Sequence, residues 1–135
     1  MTADFFDDKF NLLHSYSRAD ALRDGELIDV SEWGSTEKGF IGGFVVPVAL
    51  TRALFETIRN FPENCGEDIR GRAHDVLFMA SQAARGAKDS IDSAAPFAVL
   101  MTDSQGVIAT LELFVVIGPG DAGEPVVTIG FPENF

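Results

Sequence analysis

Residues 96–131, PFAVLMTDSQGVIATLELFVVIGPGDAGEPVVTIGF, decide the fold class of this chain. Apolar and β-branched residues dominate from Pro96 to Thr102, from Val107 to Ile117 and from Val126 to Phe131, with an extended rather than helical period. Asp103-Ser104-Gln105-Gly106 and Gly118-Pro119-Gly120-Asp121-Ala122-Gly123 separate these runs with turn residues. Three strands joined by short turns predict an antiparallel meander. Helical patterns precede it, so the expected class is α+β, with two main helices packed on a C-terminal three-stranded antiparallel meander.

The two helices are read from spacing. Pro47 introduces the first, expected from about Val48 to Asn60. Leu50, Ala53, Leu54, Ile58 and Phe61 recur at intervals of three and four, with Arg52, Glu56 and Arg59 opposite. The second is expected from about Glu67 to Ala87, with a buried stripe of Ala73, Val76, Leu77, Ala80, Ala83 and Ala84. Phe78 breaks the polar row of His74, Ser81 and Arg85, which predicts cover on more than one side. Gly71 costs about 1 kcal/mol relative to alanine, so the first turn reads either as helix or as a separate piece.

A third unit lies upstream, from Tyr16 to Val30. Ser17 followed by Asp20 is a capping box, Gly25 supplies a left-handed helix stop, and Leu27 to Val30 is strand-like. The fold therefore gains an N-terminal capped helix-strand unit. Ser31 to Gly43 is expected as a loop holding four glycines and the only tryptophan, Trp33. The whole chain, 1–135, is expected to be one domain, with residues 1–15 a loosely docked N-terminal segment.

The stretch Tyr16–Val30, followed in order by Phe44–Thr51, Gly71–Met79 and Val116–Asp121, resembles a family of small uncharacterised proteins carried by bacterial plasmids, phages and integrated elements. That family is known only as a domain of unknown function. The resemblance spans about Tyr16 to Phe131 and implies a mobile-element origin. It carries no catalytic residue across.

Composition narrows the class. Net charge is −11, and it is uneven: residues 89–135 hold seven acids and neither lysine nor arginine, whereas residues 41–88 balance at +1. Binding DNA or RNA through phosphates needs clustered bases, so direct nucleic-acid binding is not expected. No run approaches the roughly 20 apolar residues of a membrane span. An acidic N-terminus, Met1-Thr2-Ala3-Asp4, and a single cysteine, Cys65, suit a cytoplasmic protein.

The chemistry-bearing residues are few. His74 and Asp75 are the first candidates for acid–base work, but neighbours on a helix point about 100° apart, and His74 beside Phe78 reads first as helix-face packing. His14, His74 and Cys65 have no metal-ligand spacing, and the acids around Cys65 raise rather than lower a thiol pKa. The glycine-rich run 118–123 lacks the Lys-Ser/Thr ending of a phosphate loop and leads into a strand. Arg18, Arg23 and Asp24 are left unexplained by capping, and Trp33 on its loop is an aromatic anchor candidate.

The expectation is an acidic binding protein, without cofactor or metal, that occupies a host protein or nucleoprotein complex. Its concrete form is inhibition of a nucleic-acid-targeting defence complex of the anti-CRISPR or anti-restriction type. The candidate binding residues are Arg18, Arg23, Asp24, Trp33, His74 and Asp75. Two alternatives stand beside it. One is an enzyme whose site joins Arg18, Arg23 and Asp24 to His74 and Asp75. The other is a homodimeric or larger module that pairs through the strand face of Thr110, Glu112, Phe114 and Val116.

Overall fold

Ser17 and Asp20 open the first helix as their spacing requires. The Ser17 hydroxyl accepts from the Asp20 N–H at 3.0 Å, and the Ser17 N–H donates to the Asp20 carboxylate at 3.3 Å. The helix, α1 (Arg18–Asp24), ends at Gly25 with φ +81°. There the Glu26 N–H reaches back to the Ala21 carbonyl at 2.9 Å, so the last turn is closed by backbone alone. The structure, a computed structural model, describes residues 16–31, 44, 46–63, 66–86 and 93–135. The N-terminal segment 1–15, Trp33 and most of its loop, and Cys65 lie outside the described residues.

The elements after α1 are β1 (Leu27–Asp29), β2 (Val48–Thr51), α2 (Arg52–Arg59), α3 (Ile69–Gly86), β3 (Ser93–Thr102), β4 (Ile108–Pro119), β5 (Pro125–Gly130) and a 3₁₀ turn, Pro132–Asn134. The strands form one sheet in the order β1-β2-β5-β4-β3. β2 runs parallel to β5, with Leu50 opposite Ile129, and every other pairing is antiparallel.

The expected three-stranded antiparallel meander is therefore corrected. The C-terminal strands do run antiparallel, but among the described residues they are three of five in a mixed sheet, on an α+β fold with three helices. The error lies at Val48–Thr51, read as the first turn of a helix. All four residues are buried, and they form the strand that joins β1 to β5. A short strand buried on both faces is an unbroken apolar run, which periodicity does not distinguish from a buried helical turn. Thr51 then serves two elements, ending β2 and capping α2 through Leu54 N–H to Thr51 Oγ1 at 3.4 Å.

The sheet separates two unlike faces. Inner-facing Val48, Leu50, Leu113, Val115 and Ile129 meet Leu54 and Ile58 of α2 and Ala73, Val76, Leu77 and Ala80 of α3 in one core. Each large aliphatic buried there contributes roughly 1.5–3 kcal/mol. On the outer face, α1 and the 3₁₀ turn lie over β1, β2 and β5, where Ala49 and Val126 are buried. The outward residues of β3 (Ala94, Pro96, Ala98, Leu100) and the first half of β4 (Ile108, Thr110, Glu112) are exposed.

Candidate functional site

Arg18, Arg23 and Asp24 share α1 but do different things. The Arg18 guanidinium is half-buried on the outer face of the sheet and donates to Thr128 Oγ1 at 2.8 Å and to the Val127 carbonyl at 2.9 Å. Burial lowers its pKa, and the nearby Asp29, Asp121 and Glu124 oppose that shift. Asp121, at the β4–β5 turn, accepts from the Arg18 and Ala19 amides at 2.7 and 3.0 Å, so a distant carboxylate holds the positive end of the helix. Arg23 is 70% exposed and pairs with Asp20 at 2.9 Å and Asp24 at 3.3 Å. Desolvation first, then the charge of Asp24 and its hydrogen bond to the phenol, raise the pKa of Tyr16.

His74 and Asp75 sit near the start of α3, a helix of the inner layer. Their Nδ1 and Oδ1 atoms are 3.9 Å apart, beyond hydrogen-bonding distance. They border a shallow depression of about 330 Å³ with Glu67, Asp68 and Gly71. Arg18 reaches the opposite face of the sheet, at Thr128, so the α1 group and the His74–Asp75 pair are not brought together. Among the described residues, no group of three histidines, cysteines or carboxylates is arranged to hold a metal ion.

Arg72, a neighbour in sequence, is committed elsewhere. It is 3% exposed and spends its donors on the Ile58 carbonyl (2.8 Å), the Thr57 carbonyl (3.3 Å) and the Thr102 carbonyl (3.0 Å), with Phe61 4.8 Å beneath its plane. Glu67 completes it at 3.4 Å. The side chain ties the end of α2 to the end of β3 and leaves Asp75 without the Arg72 pairing that sequence proximity suggests.

Among the described residues, two further surfaces are open to a partner or ligand. A groove of about 550 Å³ runs between α1 and the start of α2, lined by Ala21, Leu27, Ala53, Glu26, Arg52 and Glu56 among others, and a Glu26–Arg52 pair at 3.4 Å spans it. The second is the outer face of the β3–β4 hairpin, which no described element covers and where Leu100 and Ile108 are 70% and 69% exposed. Of the residues expected to form an apolar face, Phe114 and Val116 are half-buried, while Thr110 and Glu112 are exposed. Leu100 and Ile108 were legible as strand residues. Their exposure was not, because apolar residues stand on both faces of these strands and α1 covers only the far half of the sheet.

No helix among the described residues is long and apolar enough to cross a membrane. No curated protein and no solved structure matches the chain. Residues 2–135 do match one family pattern along almost their whole length, so the chain belongs to the Family of unknown function DUF6573.

Proposed function

We propose that this chain is an acidic, mobile-element-encoded binding protein that inhibits a host nucleic-acid-targeting defence complex, of the anti-CRISPR or anti-restriction type, by protein–protein contact. The observation that carries the reading is the half of the sheet's outer face that no described element covers. It presents large apolar side chains, Leu100 and Ile108, on a stretch of chain (89–135) that has acids and no base. Exposed apolar spots rimmed by polar groups mark binding surfaces, and one-signed charge steers oppositely charged partners. A protein cleft built for nucleic acid supplies that opposite charge.

The test is co-purification of the tagged chain from host lysate at low and at moderate salt. The expected result is recovery of a nucleic-acid-targeting complex whose DNA or RNA binding falls when the purified chain is added. Recovery of no such complex at either salt concentration rejects the reading.

A further inference from the structure

A partner can meet the β3–β4 hairpin edge-on, by adding a strand, or face-on, by covering its side chains. The edge is obstructed. Odd-numbered residues of β3 turn their backbone groups toward β4, as the Asp103 N–H to Val107 carbonyl bond of 2.8 Å at the end of the ladder shows. The outward backbone groups therefore belong to Ala94, Pro96, Ala98, Leu100 and Thr102. Pro96 has no N–H to donate, and the Thr102 carbonyl already accepts from Arg72 at 3.0 Å. Only Ala98 and Leu100 lie between these two obstacles, too short a stretch for a lasting ladder.

The face is open. Leu100 stands opposite Thr110 and Ile108 opposite Thr102, which makes Leu100 and Ile108 diagonal neighbours on one side of the hairpin. The one charged side chain on this face of β3 and β4 is Glu112, opposite Ala98. Two copies meeting face to face would set carboxylate against carboxylate between molecules of charge −11, which disfavours self-association. From the closed edge, the open face and the sign of its charge, we infer that the Leu100–Ile108 face is the docking site. Its occupant is a protein surface in which an apolar hollow is bordered by lysine or arginine. This inference rests on the protein-binding reading above and adds the contact side chains and the partner chemistry.

The experiment places photoreactive p-benzoylphenylalanine at position 100 of the full chain and, in separate proteins, at positions 23 and 75. Each protein is irradiated in host cells, and the adducts are identified by mass spectrometry. The expected result is an adduct from position 100 alone, to a subunit of a nucleic-acid-binding complex, at a peptide containing lysine or arginine. Adducts to such a complex only from position 23 or 75 would overturn the docking face while leaving the protein-binding reading standing. An adduct of the chain to itself from position 100 would overturn the assigned partner, and no adduct from any position would sink both. In the same cells, the L100S/I108S double substitution is expected to lower recovery of the complex by about tenfold or more without changing the melting temperature, because both side chains are already exposed. Unchanged recovery by that variant would also overturn the inference. E112K is expected to weaken recovery and make it less sensitive to salt, and an increase in recovery would reject a base-bordered partner.

Discussion

Arg18 makes two hydrogen bonds to β5, one to the Thr128 hydroxyl and one to the Val127 carbonyl, from a half-buried position. A planar guanidinium serves both acceptors at once, and a lysine ammonium does not match that fork. Arg18→Ala should therefore cost about 2 kcal/mol in urea denaturation, and Arg18→Lys about half as much. A change below about 0.5 kcal/mol for the alanine variant would show that α1 is held by Asp121 and apolar contact alone. Asp20 carries a pH signature. The backbone hydrogen bond from Ser17 is the main reason its pKa lies below the ordinary 3.8, with the Ser17 hydroxyl and Arg23 adding to it against partial desolvation. A depressed folded-state pKa means that the native protein prefers the charged form, so the contribution is complete above the unfolded value and fades as pH falls through the folded one. Carboxyl titration by NMR should place Asp20 below an unfolded reference, and melting temperatures of Asp20→Asn and wild type should draw together as pH falls from about 3.8 through the folded value.

Within the elements, two glycines stand where an added Cβ would approach a neighbour closely, and neither has a positive φ. A Cβ on Gly71 would lie 2.8 Å from Asp68 Oδ1, the atom that accepts the Gly71 N–H at 2.6 Å at the start of α3. Alanine gains about 1 kcal/mol of helix propensity there, while displacing the capping carboxylate costs about the same. Gly71→Ala should thus leave the melting temperature nearly unchanged, yet stabilise by about 1 kcal/mol in an Asp68→Ala background. Equal effects in the two backgrounds would contradict the coupling. This also settles the first turn: it belongs to α3 because Asp68 caps it, and the glycine is part of that cap. At Gly130 a Cβ would meet Thr51 Cγ2 at 2.5 Å and Oγ1 at 2.7 Å, and Thr51 is fixed by donating to Asn134 Oδ1 at 2.9 Å while capping α2. Gly130→Ala should cost about 1–3 kcal/mol by chemical denaturation, as overpacking does.

At the scale of the whole molecule, Arg72 is the side chain on which helices and sheet converge. Removing it strands three carbonyls, from Thr57, Ile58 and Thr102, in a region with little water. Arg72→Met should lower stability by about 3 kcal/mol or more, and a loss below about 1 kcal/mol would show that those carbonyls find other donors. Spacing places this arginine beside the buried stripe, four residues before Val76, but its residue type argues against burial. It falls one residue before Ala73 on the helix stripe, where a long charged side chain ordinarily reaches solvent.

The capping box of Ser17 and Asp20, the stop at Gly25, the stripe from Ala73 to Ala84 and the three C-terminal strands could all be read from residue order. Each depends on residues within a few positions of one another, and local chemistry is enough to specify them. The parallel pairing of β2 with β5, the hold of Asp121 on α1, the burial of Arg72 and the exposure of Leu100 and Ile108 could not. These depend on contacts between residues as many as a hundred positions apart, and on which half of a two-faced sheet α1 covers. Sequence order thus determined the locally specified elements, though not the strand β2, and the sign of their charge. The tertiary structure alone decided which apolar side chains face water, because strands apolar on both faces carry no local mark of the side left uncovered.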